Sequence, residues 1–171
     1  MRAFRTRSRR WSLRLTLAFS SFVMCTSASA QWAGASRDTL TRDLFRDENT
    51  MQSLAVDAVN TLHAVWQRAI TGGWRIFYAR KPDGSGWAAP REVGDSSQFS
   101  NQSALAVDFT TGTPHIAYRA NYASNDEIVV AKDSAGSWRR LRLTTNSTQD
   151  LAPTITVDSL GRVHVAWIGQ D

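Results

Sequence analysis

One pattern recurs three times at a spacing near 50 residues, and it constrains the fold more than any other feature of the chain. Leu54-Ala55-Val56-Asp57 returns as Leu105-Ala106-Val107-Asp108 and again as Ile155-Thr156-Val157-Asp158, the aspartates lying 51 and 50 residues apart. A His-x-x-aromatic element follows each one: His63 to Trp66, His115 to Tyr118 and His164 to Trp167. Further on, Arg75-Ile76-Phe77-Tyr78-Ala79-Arg80-Lys81 corresponds to Glu127-Ile128-Val129-Val130-Ala131-Lys132-Asp133, and a glycine turn then leads to Trp87 or Trp138, 51 residues apart. Four landmarks in one order at one period mark a structural repeat.

Each copy reads as four short strands. The first covers 53–57 and the second 62–67, where alternation sets Leu62, Ala64 and Trp66 on one face and His63 and Val65 on the other. The third covers 74–80, and Pro82-Asp83-Gly84-Ser85-Gly86 turns the chain into the fourth, 87–93. The polar stretch 94–101 then crosses to the next copy. Four antiparallel strands with one such crossover predict an all-β chain of β-propeller-type blades. The expected organisation is a signal peptide over 1–30, an N-terminal segment over 31–51, a first blade over 52–101, a second over 102–151 and a partial third over 152–171. Trp32 suggests a closing strand in the N-terminal segment, while 39–49 reads equally as a short amphipathic helix or a tail. Propellers close with at least about four blades, so the expectation is an incomplete ring needing further blades or self-association.

The run from Ala152 to Trp167 (APTITVDSLGRVHVAW) resembles the blades of secreted bacterial propellers related to sialidases, the BNR or Asp-box repeat proteins. The resemblance covers roughly 50–171. Asp83-Gly84-Ser85-Gly86-Trp87 is an Asp-box one residue short, and Asp133-Ser134-Ala135-Gly136-Ser137-Trp138 has its glycine one place late. A sialidase-like hydrolase would, on this resemblance, need three arginines clamping a substrate carboxylate, an acid/base aspartate and a tyrosine nucleophile paired with a glutamate. The nearest match to the family's first arginine motif, Trp74-Arg75-Ile76-Phe77, lacks its phenylalanine and proline, and no catalytic residue can be named.

Charge and cysteine usage narrow the function classes. Six of the 20 basic side chains and none of the 15 acidic ones lie in the first 30 residues, so removing a leader leaves 14 against 15 and a net charge of −1. A nucleic-acid partner thereby loses its electrostatic footing. The leader itself has an arginine-rich start, an apolar core over 15–26 and the small residues Ala28-Ser29-Ala30, which predict cleavage after Ala30 and a secreted or periplasmic product. Ser8-Arg9-Arg10-Trp11-Ser12-Leu13-Arg14 is similar to a twin-arginine signal, with ordinary secretion the alternative. The twelve residues of that mostly apolar core are too few to span a bilayer, which takes about 20, and no membrane anchor is expected in the mature chain. The only cysteine, Cys25, lies in the leader, excluding disulfides, thiolate metal sites and cysteine nucleophiles from the remainder.

His63, His115 and His164 are all the histidines, and a three-histidine metal site is one reading of them. They stand at equivalent points of successive copies, however, and packed sheets lie about 10 Å apart, so no metal or other cofactor is expected. Asp57, Asp108 and Asp158 have turn-forming roles by the same logic. Trp66, Tyr118, Trp167, Trp87 and Trp138 are expected to pack between blades. Ligand-binding candidates are Arg68 and Arg119, read as matching positions at the ends of second strands, and the repeat-breaking loop residues Trp74 and Tyr122, with Phe99 beside them. Asn101-Gln102-Ser103 and Asn146-Ser147-Thr148 match the glycosylation sequon and read as turns. The expected function is an exported module binding a glycan or a protein partner, the alternative an N-terminal fragment of an exo-sialidase-like glycoside hydrolase.

Overall fold

The structure, a computed structural model, describes residues 39–40, 47–48, 53–123 and 125–170. The expected leader, its cleavage site and Trp32 lie outside the described residues. Among the described residues there is no helix, and eleven strands form three antiparallel sheets. The first sheet contains β1 (Asp47–Glu48), β2 (Leu54–Val56), β3 (Leu62–Ile70), β4 (Gly73–Lys81) and β5 (Arg91–Glu92). The second contains β6 (Ser100–Val107), β7 (Pro114–Tyr122), β8 (Asn125–Ser134) and β9 (Ser137–Arg142). The third has β10 (Asp150–Val157) and β11 (Val163–Gly169).

Register shows the sheets to be copies of one plan. Glu48 lies opposite Gln67, Asn101 opposite Arg119 and Leu151 opposite Ile168, each pair at the same place in its sheet. In the second and third sheets the first strand carries the same bulge, where Gln102 and Ala152 both adopt φ near 50°. The polar stretch expected to be a crossover therefore ends inside β6, because Ser100 and Asn101 pair with Ala120 and Arg119 ahead of that bulge. In the segment where a helix was one expectation, Asp47 and Glu48 form a strand on the edge of β3. The fourth strand of the first sheet is shorter than the expected 87–93. Ala88 N–H reaches Arg80 O, but Pro90 has no N–H to offer, and ladder pairing resumes only at Arg91 and Glu92.

Alternation along β6 explains how three sheets stack. Leu105 and Val107 face the first sheet, where Val65, Ile76, Tyr78 and Val93 meet Ile116, Tyr118 and Val129 in the larger core. Ala104 and Ala106 face the third, joining Ala117 and Ile155 in a smaller one. Fully burying one such aliphatic or aromatic side chain contributes about 1.5–3 kcal/mol, so the first junction is the stronger. The turns stack as well. Asp57 accepts the N–H groups of Val59 and Thr61 at 3.0 and 2.8 Å, and Ala58 N–H bonds across the junction to Phe109 O at 3.0 Å. Gly112, at φ +67°, sits so close that a Cβ there would lie 2.8 Å from Asp57 Oδ2, and Gly161 meets Asp108 in the same way at 3.4 Å. Asn60 takes the equivalent left-handed place in the first sheet at φ 60°.

Candidate functional site

The repeated aspartate and histidine form pairs within each sheet. His63 is 2% exposed, and its Nε2–H donates to Asp57 Oδ2 at 3.3 Å. That tautomer leaves Nδ1 to accept the Tyr78 hydroxyl proton at 2.7 Å. Burial pulls the His63 ring down from its usual value against the opposing pull of Asp57. Burial works to raise Asp57, but the N–H bonds of Thr61 and Val59 and the bond from His63 bring it below the usual carboxylate value. His164, 56% exposed at its side chain, donates to Asp158 Oδ2 at 3.0 Å. The bond from His164, followed by those from Arg162, holds Asp158 well below the usual range. His115 is buried beside Asp108 without a hydrogen bond between them, because the turn of the second sheet is one residue longer: 108 to 115 against 57 to 63. Burial, then the charge of Lys132, pushes its ring down. Each histidine thus belongs to its own sheet's turn. Among the described residues, no group of three or more His, Cys, Asp or Glu is placed to hold a metal ion.

The aromatic repeat positions differ in what they touch. Trp66 is buried and stacks on Phe77 at 6.1 Å, Tyr118 lies in the larger core, and Trp138 meets Tyr78 of the first sheet edge-on at 5.2 Å. Trp87 is half-buried outside any strand, and Trp167 is 41% exposed.

Of the four ligand-binding candidates, the structure brings two together. Trp74, on the first sheet, and Arg119, on the second, line an open cleft of about 380 Å³ with Phe99, Asn101, Asn121 and Asp126. The hairpin glycines Gly72 and Gly73 shape its wall: the Phe99 ring lies flat on them, and a Cβ on Gly73 would come within 2.5 Å of it. Arg119 donates from Nε to Asn101 Oδ1 at 2.7 Å and pairs through its guanidinium with Asp126 at 3.2 Å. Asn121 Nδ2 donates to the other Asp126 oxygen at 3.1 Å. The cleft is therefore electrically balanced, with fixed amide, guanidinium and carboxylate groups facing two aromatic rings.

Arg68 and Tyr122 lie outside that lining. Arg68 forms a two-pronged pair with Asp47, at 2.8 and 3.1 Å, and covers the Phe77 ring. The expected match between Arg68 and Arg119 is off by one residue: Arg119 corresponds to Gln67 and Arg68 to Ala120. Tyr122 sits beneath Arg142 at 4.2 Å and is packed against the larger core. Asn101 is a strand residue inside the cleft rather than a turn residue, while Asn146 accepts Thr148 N–H in a turn, as read. Asp126 and Asn121 escaped notice in the sequence. Their signal was a broken repeat, since the pair Ala69 and Trp74 of the first sheet is replaced by Asn121 and Asp126 in the second. No protein-family model matches the chain, and no curated protein matches it.

Proposed function

We propose that the chain is a segment of a secreted or periplasmic β-propeller of the sialidase-like, Asp-box type, and that it binds a neutral glycan in the cleft of Trp74 and Arg119. The blade reading is supported by strands that pair in sequence order in the second sheet and by the register shared among all three sheets. The Asp-box reading is supported by the hairpin 134–137, where Ala135 and Gly136 both take positive φ and Gly136 N–H donates to Asp133 at 3.1 Å.

The observation that carries the binding function is the cleft itself. An apolar sugar face has Trp74 and Phe99 to lie on, while hydroxyl groups find donors in Arg119 and the asparagines and an acceptor in Asp126. Because Arg119 is already neutralised by Asp126, a neutral sugar fits better than a carboxylate-bearing one. Titration with a β-linked glucose hexamer, followed by calorimetry, tests this. Binding is expected to be saturable, at least about tenfold weaker in Trp74→Ala, and no stronger for N-acetylneuraminic acid. No binding of the hexamer, or equal binding by the variant, would overturn it. Turnover of a chromogenic sialoside would favour the hydrolase instead.

A further inference from the structure

Past the larger core, where β4 and β8 end, the first and second sheets leave a polar pocket of about 200 Å³ between them. Tyr78 and Arg80 of β4 line one side, and Thr113 with the hairpin residues Asp133 and Gly136 lines the other. Alternation along β4 puts Ile76 and Tyr78 in the core and Arg80 on the same face just beyond it. The charged groups facing His63 and Tyr78 are Asp57, Arg80, Arg91 and Asp133. Three of the four have partners. Asp133 is held by both prongs of Arg91, at 3.0 and 3.3 Å, and accepts Gly136 N–H at 3.1 Å. Asp57 is satisfied by the N–H groups of its own turn and by His63. Arg80, exposed and opposite His63 in the ladder, has no hydrogen bond or ion pair through its guanidinium among the described residues.

Tyr78 connects this pocket to the buried pair behind it. With His63 neutral, Nε2–H donates to Asp57 and Nδ1 accepts the Tyr78 hydroxyl proton, so the phenol oxygen has only lone pairs to offer the pocket. A proton added at Nδ1 reverses that bond: Nδ1–H donates to the Tyr78 oxygen, and the Tyr78 O–H is freed to donate elsewhere. The pocket then gains a donor to set beside Arg80 and the Thr113 hydroxyl, which accepts from Thr111 at 2.9 Å and keeps its own proton to give. Val130 stands where Tyr78 does in the second sheet, so this arrangement has no copy there.

We propose that the pocket binds a sulfate- or phosphate-like oxyanion on Arg80, Thr113 and Tyr78, and that His63 takes up a proton from solvent as the anion binds. Donors converging from two sheets suit a group with oxygens on several sides, and the guanidinium supplies the opposite charge. Burial pulls the His63 ring down against the pull of Asp57, so at neutral pH the empty pocket is in the state without the Tyr78 donor. Anion and proton therefore each favour the binding of the other. The pocket shares no lining residue with the Trp74 cleft, so either site can fail alone.

The probe is sodium sulfate, whose charge is constant over the range used, titrated into the full chain by calorimetry with sodium chloride holding the ionic strength. Affinity should rise at least about tenfold from about pH 8 to about pH 5.5. Near pH 6.5, up to about one proton should enter per anion, read from the dependence of the heat on buffer ionisation. Arg80→Gln changes an exposed side chain, so its circular dichroism should be unchanged while sulfate binding is lost at every pH. Tyr78→Phe keeps the ring against Trp138 and should hold binding at its weak, alkaline level with no proton uptake. Displacement of sulfate by glucose 6-sulfate would assign the site to an anion carried on a sugar, and failure to displace it would assign the site to the free anion. No saturable binding at about pH 5.5, equal binding by Arg80→Gln, or a pH dependence that Tyr78→Phe retains would overturn the proposal.

Discussion

The two junctions between neighbouring sheets follow one plan and reach different ends. At the first, a histidine, its aspartate and a tyrosine are sealed beneath a tryptophan from the next sheet; at the second, the equivalent histidine and a valine floor an open groove. The repeat dictates which positions face each other, while burial decides how much each contact stabilises. Charge follows the same rule. Arg75 of β4 pairs with Glu92 of β5, and in the next sheet Glu127 of β8 pairs with Arg142 of β9, the same two places with the signs exchanged. The plan requires a pair there and is indifferent to its direction.

The largest expected effect tests that pair. Glu127 is fully buried with its second oxygen lacking a hydrogen bond, so Arg142→Ala, which removes its cationic partner, should destabilise the protein by about 3 kcal/mol in urea denaturation. Exchanging the two residues, Glu127→Arg with Arg142→Glu, should recover most of the loss. A double variant no better than the single would show that the positions are not interchangeable.

Next come the histidines. His63→Ala opens a cavity and strands the Asp57 and Tyr78 partners, for an expected loss of about 2–3 kcal/mol. His115→Ala, buried but without that bond, should cost about 1–2 kcal/mol. His164→Ala should stay within about 0.5 kcal/mol, as exposed substitutions do. Thermal melts of the three variants order the junctions directly, and equal losses would erase the distinction between them.

The same histidines give a pH dependence. Burial depresses both the His63 and His115 rings, so below the unfolded value of about 6.5 the unfolded chain binds more protons than the folded one. The stability they contribute is present above that pH and is lost as pH falls through their folded values. The melting temperature should therefore drop between about pH 7.5 and about pH 5.5, and the double variant His63→Gln with His115→Gln should flatten the drop.

The smallest effect concerns a chain of amides that crosses both junctions. Gln67 Nε2 donates to Glu48, its Oε1 accepts Gln102 N–H at 3.3 Å, and Gln102 Oε1 accepts Ala152 N–H at 3.0 Å. Gln102→Ala removes the second link and should cost about 1 kcal/mol, measured by chemical denaturation.

Much of this plan was legible in the residues. Aspartate, histidine and an aromatic recurring near 50 residues located the first and second strands of every sheet, and alternation placed Val65 and His63 together on the face that meets the second sheet. What escaped had specific physical reasons. The bulge at Gln102 depends on a left-handed backbone in a residue with no sequence preference for it, so Ser100 and Asn101 read as loop. Arg68 and Arg119 were legible as cations, but their partners Asp47 and Asp126 are set by strand register, which composition does not reveal. Of the cleft, Trp74, Arg119 and Phe99 were visible as repeat-breaking or strand-end residues, whereas Asn121 and Asp126 became meaningful only once β7 and β8 were aligned with β3 and β4.

Equivalent strands in equivalent sheets differ in stability because, among the described residues, one junction is covered and the other open. Residue-resolved amide exchange across β7 and β11 of the full chain tests it most directly. The amides of Ile116–Tyr118, bonded on both edges and covered by the first sheet, should exchange orders of magnitude more slowly than those of their counterparts Val165–Trp167. Equal protection of the two strands would contradict it.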